Sequence, residues 1–308
     1  MRKFNLKGTA AERMKGIPRE EVKAGNESAV KTENASLNPG FTEEQGILVC
    51  AWRTDVGKLR KNNQDAVILG NGLVGVADGM GGHRGGEVAS AGLRDGLLRE
   101  ISDCHPDKGR LEEAIRAVNS ELWTQQENDA SLSGMGTTLT VLWPAEKEMI
   151  IGQIGDSRAY LLRDGELTQI TNDHSMVADM VRKGVLTEEQ AACHPMRNYI
   201  TRAVGTEESI ETDLTIYDRK YADRWLICSD GLYGMVTKNR LQQMMQTEDL
   251  EKAADEMLEA ALQGGGKDNI TLVLLQDNTS FGTTQETNSD SKESSVPDQE
   301  KPEEVSDQ

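Results

Sequence analysis

The chain has 308 residues and an acidic composition, with 34 lysines and arginines against 52 aspartates and glutamates and a formal net charge of −18. This balance argues against a general nucleic-acid-binding protein, because such proteins need clustered positive charge to displace counterions from phosphates. It does not exclude phosphorylated substrates, since bound cations can reverse the local electric field. We expect a monomer with no nucleic-acid partner.

The cysteines and the apolar segments predict the cellular setting. No C-x-x-C pair is formed by Cys50, Cys104, Cys193 and Cys228. In a chain of this length that disfavours both a disulfide framework and a zinc site, and we predict reduced, buried thiols. The N-terminus lacks the apolar core of a signal peptide, and no apolar run approaches membrane-spanning length. The sequence therefore predicts a soluble, cytoplasmic protein without a membrane span.

The two ends of the chain differ in composition from its middle. Residues 1–43 show no sustained hydrophobic period and are basic at their start. A mobile extension, with at most a loose helix, is favoured there over a docking arm for an acidic partner or a membrane surface. Residues 278–308 contain eight acidic residues and two lysines. They cannot bury enough apolar surface to offset their ordering entropy, so we predict a disordered acidic tail.

Residues 44–277 form the predicted domain, in which strands lie on both sides of a helical pair. Its predicted strands are 47–52, 66–69, 73–77, 137–143, 149–154, 159–163, 166–171, 213–217, 224–228 and 270–275. Its predicted helices are 86–103, 108–127, 237–246 and 249–263, and 175–211 is predicted to be helical and polar. Because strands and helices do not alternate regularly, an α+β fold with antiparallel sheets is favoured over a doubly wound fold.

The stretch 76–87 carries the strongest local signal for a site. An apolar strand ends at Asp78, and five glycines follow within the next eight positions. A carboxylate at a strand end, followed by a turn without Cβ atoms, is well placed to offer oxygen to a hard cation. The alternative is a tight turn whose aspartate only caps the next helix. Taken alone, this stretch supports the two interpretations equally.

Four further aspartates lie at predicted strand ends, namely Asp65, Asp156, Asp230 and Asp268. Strand ends on one edge of a sheet pair converge, so these side chains and Asp78 are expected to share a cleft. Without compensation, clustered carboxylates would raise one another's pKa values. Oxygen ligands with no histidine or cysteine favour Mg²⁺ or Mn²⁺ over Zn²⁺. Each Asp-Gly alone is more often a turn, but the set favours a metal site.

Six motifs occur in an order that is specific to one family. They are T-D-V-G with R and N-Q-D at 54–65, D-G-M-G-G at 78–82, G-T-T at 136–138, G-D-S-R at 155–158, S-D-G at 229–231 and D-N-I-T at 268–271. With them the chain resembles the metal-dependent PP2C-type (PPM) serine/threonine protein phosphatases, most of all their bacterial single-domain members. The resemblance covers residues 44–277 and neither tail. It implies an α-β-β-α sandwich of two antiparallel sheets flanked by helix pairs.

The resemblance also implies a ligand set for two Mn²⁺ or Mg²⁺ ions. Asp78 would bridge the two ions, and Asp230 and Asp268 would complete the shell of the first. The backbone carbonyl of Gly79 and, through water, Asp65 would hold the second. A third, weaker ion would use Asp156 together with Asp230.

The implied reaction is hydrolysis of phosphoserine and phosphothreonine in proteins. Two ions would lower the pKa of a bridging water, giving a hydroxide that attacks phosphorus in line. Arg60 matches the arginine that grips the substrate phosphate, for which its planar fork is suited; a plain surface arginine is the less favoured alternative. Phosphorylated proteins are the expected partners, among them a bacterial serine/threonine kinase that the enzyme would oppose.

The chain departs from the family pattern at Met80. Many eukaryotic relatives have a histidine there, proposed to protonate the leaving alkoxide, and methionine cannot do so. His83 is favoured as a structural loop residue, and a metal-bound water is a further candidate. The general acid therefore stays unassigned.

Residues 175–206 correspond to the flap beside the active site of bacterial relatives. Four residues in or next to it are candidates for guiding substrate, namely His174, His194, Arg197 and Asn198. For each one, ordinary packing or capping is favoured over that role. We expect the flap to be the most variable part of the domain, because surface loops carrying specificity tend to be mobile.

Two alternative functions stay open at this point. The fold could serve as a binding or scaffolding module, or the enzyme could act on small phosphorylated metabolites. A pseudoenzyme would typically have lost an aspartate or the arginine, and all of them are present here.

Overall fold

The computed structural model describes residues 35–37, 48–81 and 85–279. The strands are β1 (Ala35–Leu37), β2 (Leu48–Asp55), β3 (Asp65–Gly70), β4 (Leu73–Met80), β5 (Gly136–Thr137), β6 (Leu139–Pro144), β7 (Glu148–Ile154), β8 (Arg158–Arg163), β9 (Glu166–Gln169), β10 (Asp213–Asp218), β11 (Arg224–Cys228) and β12 (Ile270–Asp277). The helices are α1 (Gly85–Glu100), α2 (Lys108–Asn128), α3 (Met176–Arg182), α4 (Glu188–Ala192), α5 (Asp230–Tyr233), α6 (Lys238–Met245) and α7 (Leu250–Gln263), with a short 3₁₀ turn at Ala130–Leu132.

The strands form two antiparallel sheets. The first sheet has the order β1-β2-β12-β11-β8-β9, and the second has the order β10-β7-β6-β4-β3, with β5 paired to β4. β3 and β4 form a hairpin closed by Asn71 and Gly72, whose φ angles of 51° and 78° suit a tight two-residue turn. Its register sets Asp65 opposite Asp78 at the open end of the hairpin.

Three apolar layers hold the sheets and helices together. Successive side chains of a strand point to opposite faces, so along β11 Trp225 and Ile227 pack between the two sheets, whereas Leu226 packs with residues of α6 and α7. In the second sheet, Ile68 belongs to the layer shared with α1 and α2. The result is an α-β-β-α sandwich, so the predicted fold class is confirmed.

The region 175–211 is less helical than predicted. It contains only the short helices α3 and α4, joined by irregular segments and by isolated bridges from Ser175 to Ile200 and from Thr137 to Val204. Gly184, at φ 71°, ends the turn after α3, because glycine adopts this conformation at little cost. The helix α5 is too short to give a periodic pattern and was not predicted.

The predicted domain boundaries require two adjustments. β1 lies within the segment predicted as a mobile extension, yet its backbone pairs with β2. At the other end, the buried Thr279 accepts a hydrogen bond from Arg219 and donates its N–H to Asp277. The domain therefore extends beyond residue 277, since the first two residues of the predicted tail belong to it. The remaining parts of both extensions lie outside the described residues.

The four cysteines are free, but they are not equally buried. Cys50 and Cys228 lie in the core, where burial raises their thiol pKa values to about 11 and about 12. Cys104 is half-buried and Cys193 is exposed at the end of α4, so the prediction of buried thiols is wrong for these two. Within the described ranges, none of the helices is long and apolar enough to cross a membrane.

Candidate metal and phosphate site

Asp78 is fixed at the end of β4 by its own backbone. Its N–H donates to the Thr138 hydroxyl over 2.9 Å, and its carbonyl accepts from the Thr138 N–H over 2.9 Å. The next residue must be small, because a Cβ on Gly79 would lie 2.1 Å from the carbonyl oxygen of Gly86. The G-T-T motif and the glycines around Asp78 therefore hold this carboxylate in one place.

Asp65 and Asp230 approach the same point from the two different sheets. The Ser229 hydroxyl donates to Asp65 Oδ2 over 2.9 Å, and the Thr271 N–H donates to Ser229 Oγ over 3.0 Å. Asp230, the next residue, begins α5, where a Cβ on Gly231 would lie 1.9 Å from the Asn269 carbonyl oxygen. The S-D-G motif thus joins the end of β11 to the starts of β12 and β3.

The aspartates perturb one another strongly. Burial raises the pKa of Asp78 well above its ordinary value, and repulsion from Asp65, Asp230, Asp156 and Asp268 raises it further. Burial, followed by repulsion from Asp156 and Asp268, raises the pKa of Asp230 to about 8. The tertiary structure therefore brings all five predicted aspartates within electrostatic range of one another.

Two of these carboxylates also respond to other neighbours. Burial raises the pKa of Asp65 to about 6, although hydrogen bonds from Thr271 and Ser229 act in the opposite direction. Burial and the nearby carboxylate of Asp173 raise the pKa of Asp156 to about 7. Asp156 is only 5% exposed, so water screens little of this repulsion.

The donor set fits divalent cations. In the part of the chain that the structure describes, no three His, Cys, Asp or Glu side chains form a group that could hold a metal ion as they stand. Asp65 Oδ1 is buried without a hydrogen-bond partner among the described residues. An oxygen-binding cation such as Mg²⁺ or Mn²⁺ would satisfy that atom and relieve the raised pKa values.

Arg60 reaches into the cluster from the loop after β2. Its Nη2 donates to Asp268 Oδ2 over 2.7 Å, and its side chain remains 52% exposed. The loop is held by Asn269, whose Oδ1 accepts the Gln64 N–H and whose Nδ2 donates to the carbonyl oxygens of Val56 and Asn62, over 2.8 to 3.0 Å. Asn269 was not predicted as a functional residue, although its place in the D-N-I-T motif was the available signal.

The turn that carries Asp156 is held by an aromatic and a charged side chain. The Tyr233 hydroxyl donates to the Asp156 carbonyl oxygen over 3.0 Å, and the Arg158 guanidinium lies 3.7 Å from the centre of the Tyr233 ring. Arg158 also binds the carboxylate of Asp173 through Nε and Nη2. Tyr233 and Asp173 were not found from the sequence, because nothing local marks their contacts.

A family model for protein phosphatase 2C matches residues 59–271 of this chain, which include every predicted metal-ligating aspartate and Arg60. The chain belongs to the protein phosphatase 2C family. The resemblance stated from the motifs is thereby confirmed.

Relatives from two bacteria are similar over most of the phosphatase 2C domain. The serine/threonine protein phosphatase PstP of Mycobacterium tuberculosis is 43% identical over 231 residues, which is 74% of this chain and 45% of that protein. The chain therefore matches less than half the length of that relative. The serine/threonine phosphatase stp of Listeria monocytogenes is 36% identical over 241 residues, which is 73% of this chain and 94% of that protein.

Solved structures of phosphatase 2C relatives share the fold. The crystal structure of the Mycobacterium tuberculosis phosphatase PstP/Ppp has a TM-score of 0.71 at 42% identity and covers 74% of this chain and 98% of its own. The catalytic domain of PstP in complex with two manganese ions has a TM-score of 0.70 at 41% identity and covers 75% of this chain and 98% of its own. Manganese binding is thus known for a relative of the same fold.

His174 lies inside the phosphatase 2C domain and not on the flap surface. Its Nδ1 accepts the Gly155 N–H over 3.1 Å, so the neutral ring carries its proton on Nε2, which lies 3.1 Å from Asp213 Oδ2. Burial lowers its pKa. This buried histidine supports the turn of Asp156, in line with the packing role that the sequence favoured for it, and a part in guiding substrate stays a prediction.

The other flap candidates lie on the surface. His194 is half-buried and its Nδ1 accepts the Met196 N–H over 3.2 Å, a local cap at the end of α4. Arg197 and Asn198 are exposed. Among the described residues, no side-chain hydrogen bond or ion pair links these three residues to the aspartates, so a substrate role for them stays a prediction. Met80 is half-buried at the end of β4, and His83 lies outside the described residues.

Proposed function

We propose that the protein hydrolyses phosphoserine and phosphothreonine esters in proteins and depends on Mg²⁺ or Mn²⁺ for this activity. One observation carries the proposal. Asp65 lies opposite Asp78 across the β3–β4 hairpin, and Asp65 Oδ1 is buried without a hydrogen-bond partner among the described residues. Asp156, Asp230 and Asp268 lie near enough to raise the pKa of the half-buried Asp78, so bound cations would stabilise the charged form of this cluster. The family membership and the names of the bacterial relatives support the same activity.

Each acidic residue then has a distinct place around the ions. Asp78 would bridge two ions, with Asp230 and Asp268 on the first and with Asp65 and the Gly79 carbonyl on the second. Asp156 would join Asp230 at a third. When bound, the ions would supply Lewis acidity and lower the pKa of a coordinated water to the range of neutral pH.

Arg60 would bind and orient the phosphate of the substrate. Its guanidinium is exposed, already points to Asp268 and presents two parallel N–H groups that match phosphate oxygens. Lysine would keep the charge and lose this two-point geometry. The general acid for the leaving hydroxyl stays unassigned, because Met80 has no proton to give.

Phosphorylated proteins are the proposed substrates, among them a serine/threonine kinase whose action the enzyme would reverse. We further propose a cytoplasmic monomer. The names of the relatives specify serine/threonine phosphatase activity, and the exposed position of Arg60 is compatible with a protein-sized substrate.

The test measures turnover of p-nitrophenyl phosphate and of a phosphothreonine peptide by the full chain. We expect activity with Mn²⁺ or Mg²⁺, loss of activity with EDTA, and loss in Asp230→Asn. Asp218→Asn is the matched control, because Asp218 is an exposed residue at the end of β10. Activity that survives chelation would contradict the proposal. Peptide binding without turnover would favour a binding module, and turnover of p-nitrophenyl phosphate alone would favour a metabolite phosphatase.

A further inference from the structure

We propose that three lysines around Arg60 select phosphoprotein segments that carry additional negative charge next to the phosphorylated residue. The lysines are Lys58, Lys61 and Lys267, and we call them the basic rim. This inference rests on the proposed function and deepens it, because it names the chemical class of the substrate.

The basic rim is formed by two loops that are distant in sequence. Lys58 and Lys61 are exposed in the loop after β2, and Lys267 is exposed in the loop between α7 and β12. The Lys58 N–H donates to the Gly266 carbonyl oxygen over 2.7 Å. A Cβ built on Gly266 would lie 3.1 Å from Lys58 Cγ, so the lysine stem packs against this glycine. The contact places Lys267 directly beside the loop of Arg60.

Contacts of Asn269 and Gly57 also hold the two loops together. The buried Asn269 donates from Nδ2 to the carbonyl oxygens of Val56 and Asn62, which flank the stretch 57–61. Gly57 has a φ of 77° and approaches Asp268 so closely that a Cβ would lie 2.2 Å from its carbonyl oxygen. The backbone carrying the three lysines is therefore fixed relative to Arg60 and Asp268. Because the backbone is already in place, only the lysine side chains would have to be ordered on association.

The ammonium groups of the basic rim are not engaged in ion pairs. Among the described residues, none of the three has an ion-pair partner within 4.0 Å, whereas Arg60 pairs with Asp268 over 2.7 Å. Cations on the neighbouring aspartates would offset the negative charge beneath the basic rim and leave its field positive. A positive rim in an acidic protein attracts anionic segments and repels basic ones.

The short distance along the loop from Lys58 and Lys61 to Arg60 limits which substrate residues the basic rim can reach. Consecutive Cα atoms lie about 3.8 Å apart, and an extended chain advances about 3.3–3.6 Å per residue. Lys58 and Lys61 are two residues and one residue from Arg60. If Arg60 holds the phosphate, these lysines face substrate positions within about three residues of the phosphoresidue. The ligand chemistry is an anionic side chain, from either a carboxylate or a second phosphate.

The test measures peptide binding to the full chain by fluorescence anisotropy in the presence of Mn²⁺. Each labelled peptide carries a phosphonate in place of the scissile phosphate, so that the readout does not need turnover. Four flanking sequences are compared, namely neutral, glutamate-containing, lysine-containing and one with a second phosphonate that stands for a second phosphothreonine. The variant Lys58→Gln/Lys61→Gln/Lys267→Gln is set against Lys108→Gln/Lys147→Gln/Lys220→Gln, which removes the same charge from exposed lysines outside the two loops.

The native chain should bind glutamate-flanked and doubly phosphorylated peptides more tightly than neutral ones, and lysine-flanked peptides least. Removing the basic rim should lower this preference by about tenfold, since each exposed charge pair contributes modestly, and 0.5 M salt should lower it as well. The matched control should keep the preference. Equal binding of neutral and anionic peptides by the native chain, or an equal effect of both triple variants, would overturn the proposal. Preserved preference without any hydrolysis would contradict the proposed function alone.

Discussion

Arg60 and Asp268 form an ion pair, with Nη2 of the arginine 2.7 Å from Oδ2 of the aspartate. Both residues are assigned by family resemblance to different partners, the substrate phosphate and a metal ion. The guanidinium therefore occupies a carboxylate oxygen that a cation would need. Binding of a metal ion to Asp268 and binding of phosphate to Arg60 should both weaken this ion pair.

We expect Arg60→Ala to separate these two effects. Removing a positive charge that competes for Asp268 should leave the affinity for Mn²⁺ unchanged or raise it by up to about fivefold, the range of an exposed ion pair. Binding of inorganic phosphate to the Mn²⁺-loaded protein should weaken by about tenfold or more, because a charge-assisted contact is lost. Isothermal titration calorimetry with each ligand measures both.

Arg60→Lys serves as the control for charge. It should bind Mn²⁺ with nearly the affinity of the native chain. Its affinity for phosphate should be lower, because an ammonium group cannot bind two phosphate oxygens in the same plane. A large loss of Mn²⁺ affinity in Arg60→Ala would show that the ion pair supports the metal site and does not compete with it.

The raised carboxylate pKa values make the metal-free protein sensitive to pH. Burial and mutual repulsion raise the pKa of Asp65, Asp156 and Asp230 to about 6, 7 and 8, against 3.8 ordinarily. The folded protein then holds more protons than the unfolded chain, so this stability is present below about pH 4 and is lost as pH rises to about 8. Scanning calorimetry in EDTA should show a lower melting temperature at pH 8.5 than at pH 6. Asp230→Asn should reduce the difference.

Mn²⁺ should change this pH dependence. Protons compete with the cation for the same oxygens, so stabilisation by Mn²⁺ should increase from pH 6 to pH 8.5. The contribution of His174 to stability has the opposite pH dependence. Because burial lowers its pKa, the folded protein binds a proton there less readily than the unfolded chain, and this contribution decreases as the pH falls. A metal-free melting temperature that rises steadily from pH 6 to pH 8.5 would show that the aspartates do not repel one another in the folded state.

Asn269 should contribute both to the stability of the domain and to phosphate binding. Its side chain makes three hydrogen bonds while 5% exposed, so Asn269→Ala leaves several backbone groups unpaired. We expect a loss of about 2–4 kcal/mol in the free energy of unfolding by urea, together with weaker phosphate binding. The control Asn128→Ala removes one exposed hydrogen bond at the end of α2 and should cost under about 1 kcal/mol. Similar losses in the two variants would contradict the role of Asn269.

A buried ion pair holds the end of β12, the last strand of the domain. Arg219 Nε lies 2.7 Å from Asp277 Oδ2, and the two side chains are 2% and 0% exposed. Asp277→Ala should lower the free energy of unfolding by about 3–5 kcal/mol, because the guanidinium is left buried without that carboxylate. Asp95→Ala removes an exposed partner of Arg94 and should cost about 0–1 kcal/mol. A free energy of unfolding that changes by less than about 1 kcal/mol in Asp277→Ala would show that this ion pair at the end of β12 does not stabilise the domain.

The sequence by itself determined the class of the fold and the strand-end positions of the five candidate aspartates. Apolar alternation and turn residues mark strands within a few positions, as in the hairpin of β3 and β4, because each signal depends on near neighbours. The aspartates were found for the same reason, since Asp78 and Asp230 each lie where a strand meets a glycine. The ordered motifs then identified the family, and a match over residues 59–271 agrees.

Only the tertiary structure decided which residues support the candidate aspartates and Arg60. Tyr233 holds the backbone of Asp156 from 77 residues away, and Asn269 holds the loop of Arg60 from more than 200 residues away. His174, a candidate for guiding substrate, is buried because Gly155 and Asp213 satisfy its two ring nitrogens. Hydrogen bonds between distant segments leave no periodic pattern in either one. They exist only once the two sheets have packed, and for that reason they cannot be deduced from local sequence.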